Sequence, residues 1–470
     1  VATETFQLVV LGAGPGGYAA AFLAADLGLR TALVDVEENP GGVCLYRGCI
    51  PSKALLHVAK VLHEADAAKT MGVTFGTPDI SLDGVRTWKD GVVRKLTSGV
   101  GQVAKFRKVT YVRGRGSFVN ANTLNVQLVA GGTQTIQFEH AIVATGSRPA
   151  TIPMFDAKSP RVLDSTSALD LPNLPKTLLV VGGGYIGLEL GSVYAALGSK
   201  VTVVEMLPGL CPGADRDLVA VLEKRLARSF ARILVNTRVT AARQSADGVT
   251  VTFDGAVKED ATYEKVLVSV GRKPNTSGFG LENTKVRVNA RGFIEVDAQR
   301  RTAEPSIFAI GDVTGDPMLA HKASHEGRTA VEVIAGHKVA FEPAAIPAVM
   351  FTDPEIAWCG LTETQAKEKG MDVAVAKFPW GASGRAMSIE RTDGLTKLII
   401  DPKTERVLGV GIVGPGAGDL ISEGTLAIEM GALAADVKLT IHPHPTLSET
   451  VMEAAEVFFG QSTHVYRPKK

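Results

Sequence analysis

The feature that most restricts this chain is a strand–turn–helix unit that is written twice. Residues 6–17, FQLVVLGAGPGG, run from an apolar strand into Gly12, Gly14 and Gly17, spaced GxGxxG, and on into an alanine-rich helix. A second strand, TALVD, ends at Asp35, 18 residues beyond Gly17. Each part of this pattern has a physical reason. The first glycine makes the turn, the second lets a pyrophosphate approach the backbone, and the third lets the helix lie against the strand. The phosphate rests on unpaired N–H groups at the helix N-terminus, and Asp35 faces ribose hydroxyls. The unit returns at LLVVGGGYIGLELGSVYAALGSKVTVVE with Gly182, Gly184, Gly187 and Glu205, and Gly28 is matched by Gly198. All five pairs are offset by 170 residues without a gap. Such a chain is committed to two parallel α/β units and two nucleotide sites.

At 470 residues there is room for a third domain beside them, at ~150 residues per domain. Five prolines between 149 and 175 mark a crossing between the units. HAIVATGSRP is a strand that ends in a turn at Gly146, and VLVSVGRKPN repeats that form with Gly271. SIFAIGDV ends at Gly311-Asp312, an acid at a strand's carboxyl end, where doubly wound sheets hold ligands. The competing role for Asp312 is a helix cap. From about residue 348 the texture changes. DVAVAKF, KLIID and VLGVGIVG alternate as antiparallel strands, and GDLISEGTLAIEMGA has helical periodicity, giving an α+β domain with no nucleotide fingerprint.

The net charge is +1 with both signs interspersed, which gives no footprint for nucleic acid. No apolar run reaches the ~18 residues a membrane span needs. The N-terminus runs almost at once into a strand, with no basic leader and no cleavage site. The default expectation is an intracellular enzyme: cytoplasmic, or of the mitochondrial matrix if a presequence has been removed.

Four cysteines are too few for a disulfide-stapled secreted scaffold. In GGVCLYRGCIPSK, Cys44 and Cys49 stand five apart, which leaves a metal site, a structural bridge or a redox couple open. Zinc needs a second pair or a histidine cluster, and neither is present. A lone pair in a chain of this kind favours catalysis over stapling. Pro51 suits a first helical turn, so a helix is expected to start just after Cys49 and to stabilise a thiolate with its positive end. Cys211 and Cys359 read as buried structural thiols. Near the end, HPHPTLSE places His444 on a proline-fixed turn with Glu449 five residues on, a histidine oriented by a carboxylate. His442 is the competing histidine.

Taken together, the two units, the CxxxxC before IPSK, ATGSRP, AIGD and HPHPTLSE resemble the pyridine nucleotide–disulfide oxidoreductases over the whole chain. The likeness is to those members that oxidise dihydrolipoyl groups. It implies two Rossmann-like domains and a C-terminal α+β dimerisation domain. FAD would be held by Gly12, Gly14, Gly17, Asp35, Lys53, Gly146 and Asp312, and NAD by Gly182, Gly184, Gly187, Glu205 and Gly271. The implied domains are 1–150 for FAD, 151–275 for NAD, 276–347 for FAD again and 348–470 for dimerisation. Cys44 would attack the substrate sulfur, and Cys49 would be the thiolate against the flavin, with Lys53 near the ring. His444 would take the thiol proton, held by Glu449 and supplied by the other subunit of a homodimer. The implied reaction is dihydrolipoyl-protein + NAD⁺ → lipoyl-protein + NADH. The expected partners are lipoyl domains of 2-oxo acid dehydrogenase or glycine-cleavage complexes, and no metal is expected.

The alternative is another FAD-dependent disulfide or metal-ion reductase of the same family. Glu205 opposes an NADPH-linked glutathione-type enzyme, and the tail GQSTHVYRPKK lacks the cysteine pair of mercuric and thioredoxin-type relatives. The chain departs from the family pattern at Tyr46-Arg47, where Asn-Val is common. This is expected to add bulk and charge beside the active site. Asp35 stands where Glu is usual, and Pro443 where Ala is common.

Overall fold

The computed structural model describes residues 3–466, so the first two residues and the last four of the GQSTHVYRPKK tail lie outside it. The strand Thr3–Leu11 sits at the centre of the first sheet, parallel to Thr31–Asp35 on one side and Thr133–Val143 on the other. Thr110–Asn120 extends the sheet beyond Thr31–Asp35, and Ile307–Ala309 extends it beyond Thr133–Val143. Central strands of a parallel sheet are buried on both faces, so they read as continuous apolar runs rather than alternating ones. Leu8, Val9 and Val10 accordingly have essentially no exposed surface. Ile307–Ala309 comes from beyond the second unit, so the chain leaves this sheet and returns to it.

The second sheet repeats the plan. Arg232–Leu234, Lys200–Val204, Thr177–Val181, Lys265–Val268 and Val162–Leu163 pair in that order, all parallel. Val162–Leu163 lies inside the proline-rich crossing, which therefore supplies an edge strand as well as a link. Prolines are tolerated around such an edge because no ladder hydrogen bond is lost there. The two look-alike segments after Gly146 and Gly271 pair with each other. Ser147–Pro149 runs antiparallel to Arg272–Pro274 and ties the two units together.

The C-terminal domain is a five-stranded antiparallel sheet in the order 348–350, 355–360, 407–414, 395–400, 374–379. Helices Ala417–Glu429 and Glu449–Phe458 pack on it. Its core centres on Trp380 and Phe378, and each such side chain contributes about 1.5–3 kcal/mol by leaving water. The same domain leaves Leu426, Met430, Leu439 and Ile441 exposed, Ile441 by 95%. No helix among the described residues is long and apolar enough to cross a membrane.

Candidate active site

The two glycine turns have the same geometry. Gly12 has φ 100° and Gly182 has φ 109°, which favours glycine. A Cβ on Gly17 would stand 1.8 Å from the Gly12 carbonyl oxygen, and one on Gly187 would stand 2.5 Å from that of Gly182. At Gly14 and Gly184 a Cβ would meet nothing within 4 Å. The turns are thus closed toward the protein and open on the face where a phosphate approaches.

The strand-end acids brace these turns. Asp35 accepts from the Ala13 amide at 2.6 Å and from the Glu37 amide at 3.1 Å. Glu205 accepts from the Gly183 amide at 2.7 Å and from the Leu207 amide at 2.8 Å. Burial raises the Asp35 pKa, and the amide hydrogen bonds and Arg47 offset only part of that rise. Sequence reasoning gave these acids to ribose alone, whereas here each one also fixes its own glycine turn.

A cavity of ≈ 380 Å³ runs from the first glycine turn to the thiols. Gly12, Gly14, Gly17, Asp35, Lys53, Gly146 and Asp312 all line it, together with Cys44 and Cys49. An open phosphate turn at one end and a thiol pair at the other fit FAD. Asp312 lies in the turn Gly311–Thr314, not at a helix cap. It accepts a hydrogen bond from the Ser147 hydroxyl, and Ser147 in turn accepts from the Arg272 guanidinium at 2.7 Å. Gly182, Gly184, Gly187, Glu205 and Gly271 do not line this cavity. They belong to the second unit, with Gly187 on the first turn of helix Tyr185–Ala196.

Both cysteines are present as thiols. Cys44 is on the short helix Gly42–Arg47, and Cys49 is the first residue of Cys49–Ala67. The helix therefore starts at the cysteine itself and Pro51 is its third residue, slightly earlier than the position of the proline suggests. This puts the thiol on the first turn, where the unpaired amides favour an anion. Cys49 exposes its surface to the cavity, enclosed by surrounding protein. A hydrogen bond from the Cys44 thiol outweighs this burial and, with the charge of Lys53, brings Cys49 down to about 7. Donating that hydrogen bond, together with burial, pushes the Cys44 thiol well up. Of the two thiols, Cys49 is the more acidic.

Lys53 is tied at 2.9 Å to Glu189, a residue that sequence reasoning passed over. Glu189 is buried on helix Tyr185–Ala196 and also accepts from the Ser52 hydroxyl at 3.1 Å and the Phe351 amide at 2.9 Å. The signal for it was present: an acid inside the apolar helix YIGLELGSVYAAL has to be partnered if it is buried. One carboxylate thus joins the redox helix, the second nucleotide unit and the start of the C-terminal domain.

His444 and Glu449 are together. The imidazole Nδ1 donates to Glu449 Oε1 at 2.9 Å, and the Thr446 amide donates to Oε2 at 2.8 Å. Burial pushes Glu449 up, but the Thr446 amide and His444 outweigh it and hold the carboxyl below its usual range. The histidine side chain is 74% exposed, and neither residue lines the thiol cavity of its own chain. His442 has both ring nitrogens committed, to the Thr440 carbonyl and to Glu423, and its side chain is only 5% exposed. Cys211 and Cys359 are buried apart from the site. Arg47 lines the same cavity as the two thiols. Tyr46 is tied to Asn39 and Arg47 to Glu37.

Residues 6–327 match the pyridine nucleotide-disulphide oxidoreductase family, and residues 346–455 match its dimerisation domain. The chain belongs to the pyridine nucleotide-disulphide oxidoreductases. Within this family, a dihydrolipoyl dehydrogenase of Haemophilus influenzae is 51% identical over 98% of this chain and 97% of the relative. One from Geobacillus stearothermophilus is 48% identical over 99% and 98%. The crystal structure of LpdA from Mycobacterium tuberculosis superposes with a TM-score of 0.89 at 28% identity, covering 96% of this chain and 99% of that one. The HOCl-induced flavoprotein disulfide reductase RclA of Escherichia coli gives 0.86 at 28% identity, covering 96% and 99%. As a member of the family, the chain uses FAD and NAD and carries a dimerisation domain.

Proposed function

We propose that this chain is a dihydrolipoyl dehydrogenase in which Cys44, Cys49 and the His444–Glu449 pair of the other subunit form one working site. The observation that carries the chemistry is the thiol pair at the end of the dinucleotide cavity, with Cys49 the more acidic of the two. In the oxidised enzyme the pair is a disulfide. A dihydrolipoyl thiol gives its proton to His444 Nε2, and its thiolate attacks Cys44 Sγ. The Cys44–Cys49 bond breaks and Cys49 leaves as a thiolate, the better leaving group because it is the more acidic. The second substrate thiol then attacks the mixed disulfide, its proton passing to the departing Cys44 sulfur, and the lipoyl ring closes. The enzyme is left reduced, with Cys44 as the thiol and Cys49 as the thiolate. FAD, when bound, supplies the two-electron chemistry that passes the pair to NAD. Lys53 and Glu189 hold the cavity beside Cys49.

His444 faces outward, away from its own cavity, beside the exposed apolar residues of the dimerisation domain. This supports a base given to the partner in a homodimer. We take residues 1–150 and 276–347 as the FAD domain, 151–275 as the NAD domain and 348–470 as the dimerisation domain. Lipoyl domains of 2-oxo acid dehydrogenase or glycine-cleavage complexes are the natural protein substrates.

The test is turnover of free dihydrolipoamide with NAD⁺ and with NADP⁺. Glu205 should repel a 2′-phosphate, so kcat/KM should favour NAD by at least about tenfold, or ~1.4 kcal/mol. Equal values would overturn the role given to Glu205, and no turnover with either nucleotide would overturn the activity.

A further inference from the structure

Four cations line the dinucleotide cavity: Arg47, Lys53, Arg115 and Arg272. Lys53 is paired with Glu189, and Arg272 is bonded to Ser147 through two of its nitrogens. The other two guanidiniums lie against rings, Arg115 5.4 Å from the centre of Phe279 and Arg47 6.0 Å from that of Tyr46. Arg47 is the one whose helix meets the glycine turn. Only its Nη2 has an acceptor among the described residues, the Glu37 carboxylate. A guanidinium carries five N–H donors, so most of its capacity is uncommitted.

Its helix is seated directly on the first glycine turn. The Gly41 amide donates to the Ala13 carbonyl at 2.8 Å, and a Cβ on Gly42 would stand 2.5 Å from the Gly14 Cα. Arg47 lies five residues further on, about 7.5 Å of helical rise, a span that an arginine side chain can reach back across. Glu37, two residues beyond Asp35, draws the guanidinium toward the nucleotide end of the cavity. The loop that aims it is itself pinned. The Tyr46 hydroxyl donates to the Asn39 carbonyl at 3.0 Å and accepts from the Asn39 amide at 3.1 Å, and the Tyr111 hydroxyl donates to the Glu37 carbonyl at 3.1 Å. That end of the cavity otherwise presents two carboxylates, Asp35 and Glu37, where a dianionic pyrophosphate must lie.

We propose that Arg47, aimed by Glu37 and locked by Tyr46, is a clamp on the FAD pyrophosphate that adds to the glycine turn and holds the cofactor in this enzyme. The inference rests on FAD occupying the first unit. A guanidinium fork meets phosphate oxygens two at a time, whereas an ammonium acts as a point charge, and a contact of this kind weakens with salt.

The experiment follows flavin release from the purified holoenzyme by fluorescence across a salt series. Arg47→Val should release FAD about tenfold faster at low salt, which at an unchanged association rate is about 1.4 kcal/mol of affinity, and should flatten the salt dependence. Arg47→Lys should recover part of the retention, and Glu37→Gln should fall between wild type and Arg47→Val because the charge remains but is no longer aimed. Thermal unfolding of the apoproteins checks that each variant folds. If Arg47→Val does not fold, the comparison of Arg47→Lys with Arg47→Gln decides. Wild-type release rates and salt slope in the Arg47 variants would overturn the clamp, as would a change confined to KM for dihydrolipoamide. A wild-type protein that binds no FAD would overturn the cofactor assignment instead.

Discussion

At the scale of single residues, Cys49 owes its acidity to three neighbours: the Cys44 thiol, Lys53 and the helix start. In the reduced enzyme, alkylation by iodoacetamide should therefore follow a midpoint near the thiol's pKa of about 7. The thiolate form, and so the rate, falls as pH drops through that value. Lys53→Met removes a stabilising charge and leaves Glu189 unopposed, so the midpoint should move to higher pH. A wild-type midpoint in the ordinary thiol range would refute the assignment. The glycines of the first turn give a second test, because the same methyl group has opposite consequences three residues apart. At Gly17 it collides with backbone 1.8 Å away, while at Gly14 it meets nothing within 4 Å. Gly17→Ala should destabilise the apoprotein by ~1–3 kcal/mol or more. Gly14→Ala should leave apoprotein melting nearly unchanged and weaken flavin retention. Equal melting temperatures for the two apoproteins would contradict this geometry.

At the scale of elements, a buried ion network fixes the second nucleotide unit to the C-terminal domain. Lys397 on strand Leu395–Ile400 is 1% exposed and reaches Asp215 at 2.6 Å, Asp217 at 2.8 Å and Glu363 at 2.7 Å. Asp215 precedes helix Arg216–Ser229 and also accepts from the Glu363 and Thr364 amides, so it caps an element of the other domain. Removing the cation leaves buried Asp215 without a basic partner, while Asp217 and Glu363 keep Lys377 at 2.7 and 3.0 Å. Lys397→Ala should cost ~3–5 kcal/mol in denaturant unfolding, as breaking one partner of a buried pair does. Burial pushes both aspartates up, but the lysine and amide hydrogen bonds outweigh it, so both carboxyls are held below their usual range. A depressed folded-state pKa stabilises at pH above the unfolded value of ~3.9 and loses that contribution as pH falls through the folded value. The contribution should thus be intact near neutrality and fade only below about pH 4. Wild-type stability in Lys397→Ala would show that the network is neutral.

At the scale of the whole molecule, the thiols sit in one cavity and the proposed base, His444, on an outward loop, so the proposed site requires a second copy of the chain. A mixed dimer of Cys44→Ser and His444→Gln subunits should keep one of its two sites. Each homodimer should lose about 10²–10⁴-fold in dihydrolipoamide oxidation, the span of a general-base step, or more where the attacked sulfur is missing. The decisive measurement is turnover of the purified mixed dimer. An inactive mixed dimer, or a near-normal His444→Gln homodimer, would refute the shared site. The exposed Leu426, Met430, Leu439 and Ile441 around this loop are the surface such an association would cover.

The two nucleotide units and the His444–Glu449 pairing were legible in the chain because each depends on local spacing, whereas the spacing of Cys44 and Cys49 alone left a metal site, a bridge or a redox couple open. A glycine turn needs three positions in one strand–turn–helix, and a carboxylate five residues from a histidine reaches it within one turn and helix start. The same is true of the antiparallel strands after residue 348, whose alternation is a property of contiguous sequence. Contacts between residues far apart in the chain were not legible. Glu189 meets Lys53 across 136 residues, Asp312 meets Ser147 across 165, and Lys397 meets Asp217 across 180. The aim of Arg47 was also hidden, since sequence could give its charge and its place next to the cysteines but not the loop that turns it toward Glu37. Local spacing is set by bond geometry and helical or strand period, which the sequence carries directly. The partner of a buried charge is set by which elements the packed core brings together, and only the folded chain decides that.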